Sequence, residues 1–489
     1  MKRLGICAVL LLTQVALSCV RNPATGKKQF SLVSESQEIQ LGQQGAEEAR
    51  QSIGLYDDAK VQAYVAQLGK KLLVHAQRPN LPWSFQVVDD PSVNAFALPG
   101  GPVFVTRGIL TYMNSEAELA GVMGHEIGHI TARHSANQLS KAEIAQVGLG
   151  VGSIFVPQVA QLGGAGLQLL FLKYGRDAET QADELGFGYM LQAGYDPRQM
   201  GDMFVTLQRV GEAAGGGLPE WLSTHPDPGN RLQKTEQRVA ALNRDLSGLA
   251  VDRDTYLAMV DGMVFGEDPR QGFFRGQTFY HPSLKLKLEF PPGWKTQNTP
   301  QSVAGMSEKQ DALVGMSAAG KLSPEQAAQK FFQQEGVRQA AGASQGDVNG
   351  LPAVTSYFEA QTQQGAIAGI VSFVSYGGAT WQLVGYTSAQ ALQGYDSTFR
   401  HFITSFGPVT DKSVLDVQPA RVKLVKLTES MTLQQFQQRH PSTIPIEQLA
   451  IINGVKATDS IPAGTTLKQV VGGPGPAVSS GSGASGAAR

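Results

Sequence analysis

The segment that most constrains this chain is His125-Glu126-Ile127-Gly128-His129. On a helix, residues four apart lie one turn above one another on the same face. The two imidazoles can therefore grip one cation, with Glu126 projecting beside them. Upstream, Ser115-Glu116-Ala117-Glu118 has the capping pattern S/T-x-x-E, and Leu119, Val122, Met123, Ile127 and Ile130 recur at helical spacing. The spacing predicts a long helix opening at Ser115 and carrying the motif. Imidazole donors favour zinc, one ion per chain, held by three protein ligands with one position left open. Water at that position has its pKa lowered towards about 7, and Glu126 is placed to take its proton.

The third ligand is sought in Glu179-Thr180-Gln181-Ala182-Asp183, a carboxylate pair four residues apart on a second predicted helix. Glu179 is the candidate ligand. Asp183, one turn on, is placed to accept the spare N–H of a ligand histidine. Such charged clusters are more often solvated helix faces, and it is the pairing with the histidine motif that reverses the balance. His134 follows His129 by five residues, about 140° further round a helix, so it reads as structural. His75, His281, His401 and His440 are read in the same way.

Phe85-Gln86-Val87-Val88 and Val103-Phe104-Val105 read as short strands, joined through Asn94-Ala95-Phe96-Ala97-Leu98-Pro99-Gly100-Gly101 with its Pro-Gly-Gly turn. A strand beside a cleft can pair with an extended peptide. Asn94, Phe96, Val103 and Val105 are therefore the candidate substrate-binding residues.

The Asn94–Gly101 segment, His125–His129 and Arg176 to Asp183 occur in that order, and together they resemble peptidase family M48, the gluzincin zinc peptidases. The resemblance covers roughly Ser34 to Leu242. It implies zinc ligands at His125, His129 and Glu179, a general base at Glu126 and a structural aspartate at Asp183. Gly175 departs from the serine common in the family before the arginine at Arg176. Thr224-His225-Pro226-Asp227-Pro228, followed by Arg231, is similar to a downstream segment of the family's envelope members. There the resemblance implies a role for His225, either binding zinc in a latent state or donating to the transition-state oxyanion.

The amino terminus gives the address. Met1-Lys2-Arg3, the apolar run Leu4 to Leu17 and Ser18-Cys19 have the layout of a secretory signal, too short to span a bilayer. Val15-Ala16-Leu17-Ser18-Cys19 resembles a lipobox, which implies lipidation at Cys19 and an outer-membrane anchor facing the periplasm. Cys7 falls within the signal, so the mature chain has no cysteine pair to form a disulfide. Lys plus Arg number 40 against 41 acids, and no global field draws the chain to nucleic acid.

The reading is therefore α+β over 489 residues. Residues 1–19 form a signal and 20–33 a polar tether. A mainly helical zincin-type domain with a small sheet spans 34–264. Within it, Ile144 to Leu172 carries no charge, and its glycines, glutamines and Pro157 suit two helices folded on the domain. A separate α+β domain occupies 278–408, with strands near Leu284–Phe290, Ala353–Ala360, Ile367–Tyr376 and Thr380–Tyr386; it resembles the small sheet-and-helix fold of photosystem extrinsic proteins. Residues 422–471 follow the order of a LysM module, which implies peptidoglycan as a partner, although Ser430-Met431 stand where the motif has Gly-Asp. Residues 472–489 are a Gly/Ser/Ala-rich disordered tail. Together these readings imply a periplasmic zinc endopeptidase acting on protein or peptide substrates, misfolded envelope proteins among them. The rival is a non-catalytic or latent scaffold for envelope proteins, against which the intact general base Glu126 counts.

Overall fold

The computed structural model describes residues 19–26, 28–149, 174–213, 220–226, 228–340, 344–362 and 365–473. The signal segment, most of the uncharged Ile144–Leu172 stretch and nearly all of the tail lie outside the described residues. No described helix is long and apolar enough to cross a membrane. The chain divides into two compact units, Met1–Glu267 with Arg421–Val471, and Asp268–Ala420 with Gly472–Arg489.

In the first unit, the motif helix runs Glu116–Thr131, and every residue from Ala117 to Thr131 is buried. It is a core helix rather than an amphipathic surface one, and that is why it is apolar all round apart from its chemistry-bearing side chains. Ser115 caps it through Glu118 N–H. The box is not closed in the usual reciprocal way, because the Glu118 carboxylate reaches one residue further back and accepts from Asn114 N–H at 2.9 Å.

Helix Arg176–Gln192 crosses the motif helix at unusually short range. Glycines permit this. A Cβ on Gly186 would lie 2.7 Å from the His125 nitrogen, and one on Gly128 would lie 2.8 Å from the Ala182 carbonyl oxygen. Without side chains there, the two backbones approach closely enough for the short carboxylates of one helix to reach the imidazoles of the other.

A three-stranded sheet flanks the motif helix. Pro102–Thr106 is its middle strand, parallel to Ser84–Val88 on one side and antiparallel to Ala95–Ala97 on the other. This corrects the substrate reading of Val103 and Val105. Both are fully buried on the middle strand, which is flanked by a partner strand on each side, so neither lies at an edge where a peptide could pair. The edge strand is Ala95–Ala97. Phe96 turns its ring inward onto Phe104, with centroids 5.1 Å apart, and Asn94 is buried just before the strand.

Two segments read as separate pieces are built into this unit. Along the 20–33 tether, Cys19–Arg21 pairs with Lys28–Phe30, and the buried Asn22 amide donates to Ala132 O at the end of the motif helix. The 422–471 module has strand–helix–helix–strand order: Ala420–Lys426, Leu433–Arg439, Ile446–Ile452 and Thr466–Gly472, with the outer strands paired. It is docked by hydrogen bonds from Arg209 to Val455 O, Gln448 to the Tyr112 hydroxyl, and buried Lys468 to Thr111 O and Met113 O.

The second unit holds an antiparallel sheet in the order Val337–Gln339, Leu351–Thr362, Gly365–Tyr376, Ala379–Ser388, Ala312–Gly320, Ser302–Met306, Lys295–Asn298, with Ser344–Val348 also on Leu351–Thr362. Helices Pro324–Phe332 and Leu392–Thr404 pack against it. They close two apolar clusters, one around Phe358, Val371 and Phe373, the other around Phe290, Phe399 and Phe402. Alternating burial along these strands is the sequence pattern that made them legible.

Candidate metal centre

The motif helix and the crossing helix bring His125, His129 and Glu179 together, and the loop after helix Glu220–Thr224 adds His225. One donor atom from each lies within 4.8 Å of all the others, and all four residues are buried. The contacts run 2.9 Å from His125 Nε2 to His129 Nε2, 3.2 Å from His125 Nε2 to His225 Nδ1, and 3.1 Å from His225 Nδ1 to Glu179 Oε1. His129 Nε2 and His125 Nε2 stand 3.4 and 3.6 Å from the Glu179 oxygens. Tetrahedral zinc with bonds of about 2.0–2.1 Å needs donor separations of about 3.3 Å. The donor set fits one zinc ion.

The surrounding groups turn those donors inward. Asp183 Oδ1 lies 2.9 Å from His125 Nδ1, and Arg231 grips both oxygens of the same carboxylate at 2.6 and 2.8 Å. Arg231 Nη1 is also 3.0 Å from Glu179 and its guanidinium lies 4.7 Å over the Trp221 ring. On the other side, His129 Nδ1 meets His134 Nδ1 at 2.9 Å, and the Tyr174 ring stacks on the His129 ring at 4.0 Å. Trp221 stacks on His225 at 5.0 Å. Gly175, which stands where the family resemblance has serine, makes no side-chain cap to its helix.

The protonation states follow from burial and charge. Burial drives His125 down to about 4 and holds His129 well below its ordinary value, so both imidazoles are neutral and able to ligate. Burial pushes Glu179 upward, but His225, His129 and His125 outweigh it and hold the carboxyl well below the usual range. Burial also pushes Asp183 upward, and Arg231 outweighs it, setting Asp183 at about 2. Glu126 is raised to about 7, mainly by burial and further by the Glu179 charge. Its Oε1 is buried without a hydrogen-bond partner among the described residues, 3.6 Å from His225 Nε2, while the Ala97 amide bonds the carboxylate. A buried carboxylate with one oxygen outside any hydrogen bond among the described residues, beside a zinc-shaped donor set, is suited to moving a proton.

Sequence reasoning missed Gln181, Tyr174 and Trp221, gave Arg231 no role, and read His134 as structural without placing it against His129. The position of His134 beside His129 has a physical cause. The motif helix ends at Thr131, Arg133 adopts a left-handed φ of 60°, and a new helix starts at His134. The 140° offset of a continuous helix therefore does not apply, and His134 folds back onto His129. Cys19 is described only in its backbone.

A buried two-histidine, one-glutamate site built across two crossing helices defines the class. Residues 59–239 match the model of peptidase family M48. Among curated relatives, it is 31% identical over 231 residues to the beta-barrel assembly-enhancing protease of Escherichia coli (strain K12), covering 44% of this chain and 47% of that protein. It is 31% identical over 219 residues to the mitochondrial metalloendopeptidase OMA1 of Schizosaccharomyces pombe, covering 44% and 65%, and 33% identical over 184 residues to that of Arabidopsis thaliana, covering 37% and 36%. The chain thus spans between about a third and two thirds of the length of these relatives. Among solved structures, cyanobacterial PsbP (CyanoP) from Synechocystis sp. PCC 6803 aligns with 28% of this chain and 94% of its own at 12% identity and a TM-score of 0.24, too slight a likeness to carry an argument.

Proposed function

We propose that this chain is a zinc-dependent endopeptidase of the bacterial envelope, with His125, His129 and Glu179 as ligands and Glu126 as the general base. The observation that carries the reading is the buried donor cluster beside the Glu126 carboxylate, whose Oε1 accepts no hydrogen bond among the described residues. Zinc held there supplies Lewis acidity, polarising a scissile carbonyl and acidifying water. Glu126 takes the proton and returns it to the leaving amine, and its buried carboxylate beside the donor set is placed for both transfers. Arg231 and Asp183 keep His125 turned inward throughout.

A peptide lying extended along Ala95–Ala97 would place its scissile bond near Glu126, because the Ala97 amide already touches that carboxylate. Asn94 and Phe96 would shape this edge from behind. The relative named as a beta-barrel assembly-enhancing protease, together with the signal and lipobox pattern ending at Cys19, supports an outer-membrane-anchored enzyme in the periplasm. Misfolded or unassembled envelope proteins are the substrates this address suggests. Residues 422–471 have the element order of a LysM module and would add contact with peptidoglycan.

His225 supports a resting form. With its Nδ1 among the donors the set has four members, and a four-ligand site leaves no open position. Withdrawal of His225 would open the site and free its ring to act as a donor. Removing metal with a chelator should abolish cleavage of an unfolded protein such as casein, and one equivalent of zinc should restore it. Cleavage that persists without metal would overturn the proposal.

A further inference from the structure

The two ligand histidines are oriented by different chemistry. His125 leans on a carboxylate fixed by an arginine, whereas His129 leans on a second histidine. His134 Nδ1 lies 2.9 Å from His129 Nδ1, and His134 Nε2 lies 2.9 Å from Gln181 Oε1. Gln181 stands on the crossing helix, between the ligand Glu179 and Asp183.

We infer that His134 and Gln181 form a neutral relay that positions His129 for the metal: Gln181 fixes the tautomer of His134, and His134 in turn fixes the ring of His129. The inference rests on the zinc reading above.

The proton count dictates the direction of each bond. His129 must present Nε2 unprotonated to a metal, so its proton sits on Nδ1 and is donated to His134 Nδ1. His134 Nδ1 is then the acceptor, and its own proton sits on Nε2. The carbonyl oxygen of Gln181 is an acceptor and takes that proton. Were His134 to adopt the other tautomer, two N–H groups would face each other at 2.9 Å and the His129 ring would be driven out of line. The ring has little freedom to respond otherwise, because His129 is buried and its face is covered by Tyr174.

The turn that makes this possible is local. Arg133 is held in its left-handed conformation by bonds to the Glu38 carboxylate and to Val33 O. Reversing the chain there brings His134 back beside the helix it has just left. Gln181 thus ties the end of the motif segment to the helix that supplies Glu179, so that ligands from two helices are aligned by one chain of hydrogen bonds. His134 is a positioning residue and does not touch the metal.

The test is zinc affinity by chelator competition on the full chain, together with the visible spectrum of the cobalt(II)-substituted protein. His134→Leu and Gln181→Leu are expected to weaken zinc binding by about 10–100-fold, the usual effect of removing a partner that orients a metal ligand. Both should shift the cobalt spectrum. His134→Asn places an amide oxygen where Nδ1 was and is expected to recover most of the affinity and the wild-type spectrum. Because His134→Leu also removes a buried ring, Gln181→Leu with an unchanged metal-free melting temperature decides the matter if the former fails to fold. Wild-type affinity in Gln181→Leu, or equal weakening by Leu and Asn at 134, would overturn the relay. Failure of the wild-type chain to bind zinc would instead overturn the metal reading beneath it.

Discussion

A methyl group added to Gly128 would sit 2.8 Å from the carbonyl oxygen of Ala182, and that proximity sets the scale of the whole centre. The two helices can approach only because Gly128 and Gly186 carry no side chains. Gly128→Ala and Gly186→Ala should each cost about 1–3 kcal/mol of stability through overpacking. Both should also lower zinc affinity, because Glu179 is drawn away from the imidazoles. Thermal melts with and without zinc check this; variants that bind zinc as tightly as the parent would show that the spacing is not critical.

Asp183 is the charged support of the centre, bonded to His125 on one side and Arg231 on the other. Asp183→Asn preserves the shape but removes the charge that both partners need. Zinc affinity should fall by about 10–100-fold. The melting temperature should also fall, because the buried Arg231 guanidinium is left less compensated. Isothermal titration with zinc and a thermal melt measure the two effects separately.

The motif helix and the crossing helix, with His125, His129 and the Glu179/Asp183 pair, were legible in the sequence because their spacing is local, whereas His225 entered only through the family resemblance. Spacing of four residues on a helix places side chains without knowledge of the rest of the fold. What could not be read depended on chain reversals and on packing. His134 was not placed against His129 because one residue, Arg133, takes a left-handed turn that periodicity does not reveal. Val103 and Val105 were taken for an edge because sheet order is not written in a strand's own residues. The module at 422–471 has its own apolar pattern and reads as independent, but Lys468, an ordinary lysine in sequence, is a buried side chain that joins it to the rest of the first unit.

His225 stands among the metal donors and within 3.6 Å of Glu126. If it closes the resting site, His225→Ala should retain zinc with somewhat lower affinity and cleave an unfolded protein faster than the parent chain. Loss of cleavage with zinc retained would instead assign His225 to the oxyanion. Initial rates on casein at matched zinc content distinguish the two.

Lys468 is buried and donates to two backbone carbonyls, which a neutral amine can also satisfy. Burial lowers its pKa from 10.5 to about 7, against the opposing pull of the buried Glu118 carboxylate beside it. Between those values the unfolded chain holds a proton that the folded chain does not, so this residue makes stability rise with pH from about 7 towards 10.5. Lys468→Met should flatten that slope and cost about 1–3 kcal/mol through the unpaired carbonyls of Thr111 and Met113. Urea unfolding at several pH values reads both effects, and an unchanged slope would contradict the assignment.

The central claim is that one buried zinc and Glu126 together cleave peptide bonds. The most direct measurement is zinc content and casein cleavage of the purified chain beside Glu126→Gln, which keeps the size of the side chain and removes its basicity. The account predicts one zinc in both proteins and cleavage only by the wild type. Absence of zinc from the wild type, or undiminished cleavage by Glu126→Gln, would contradict it.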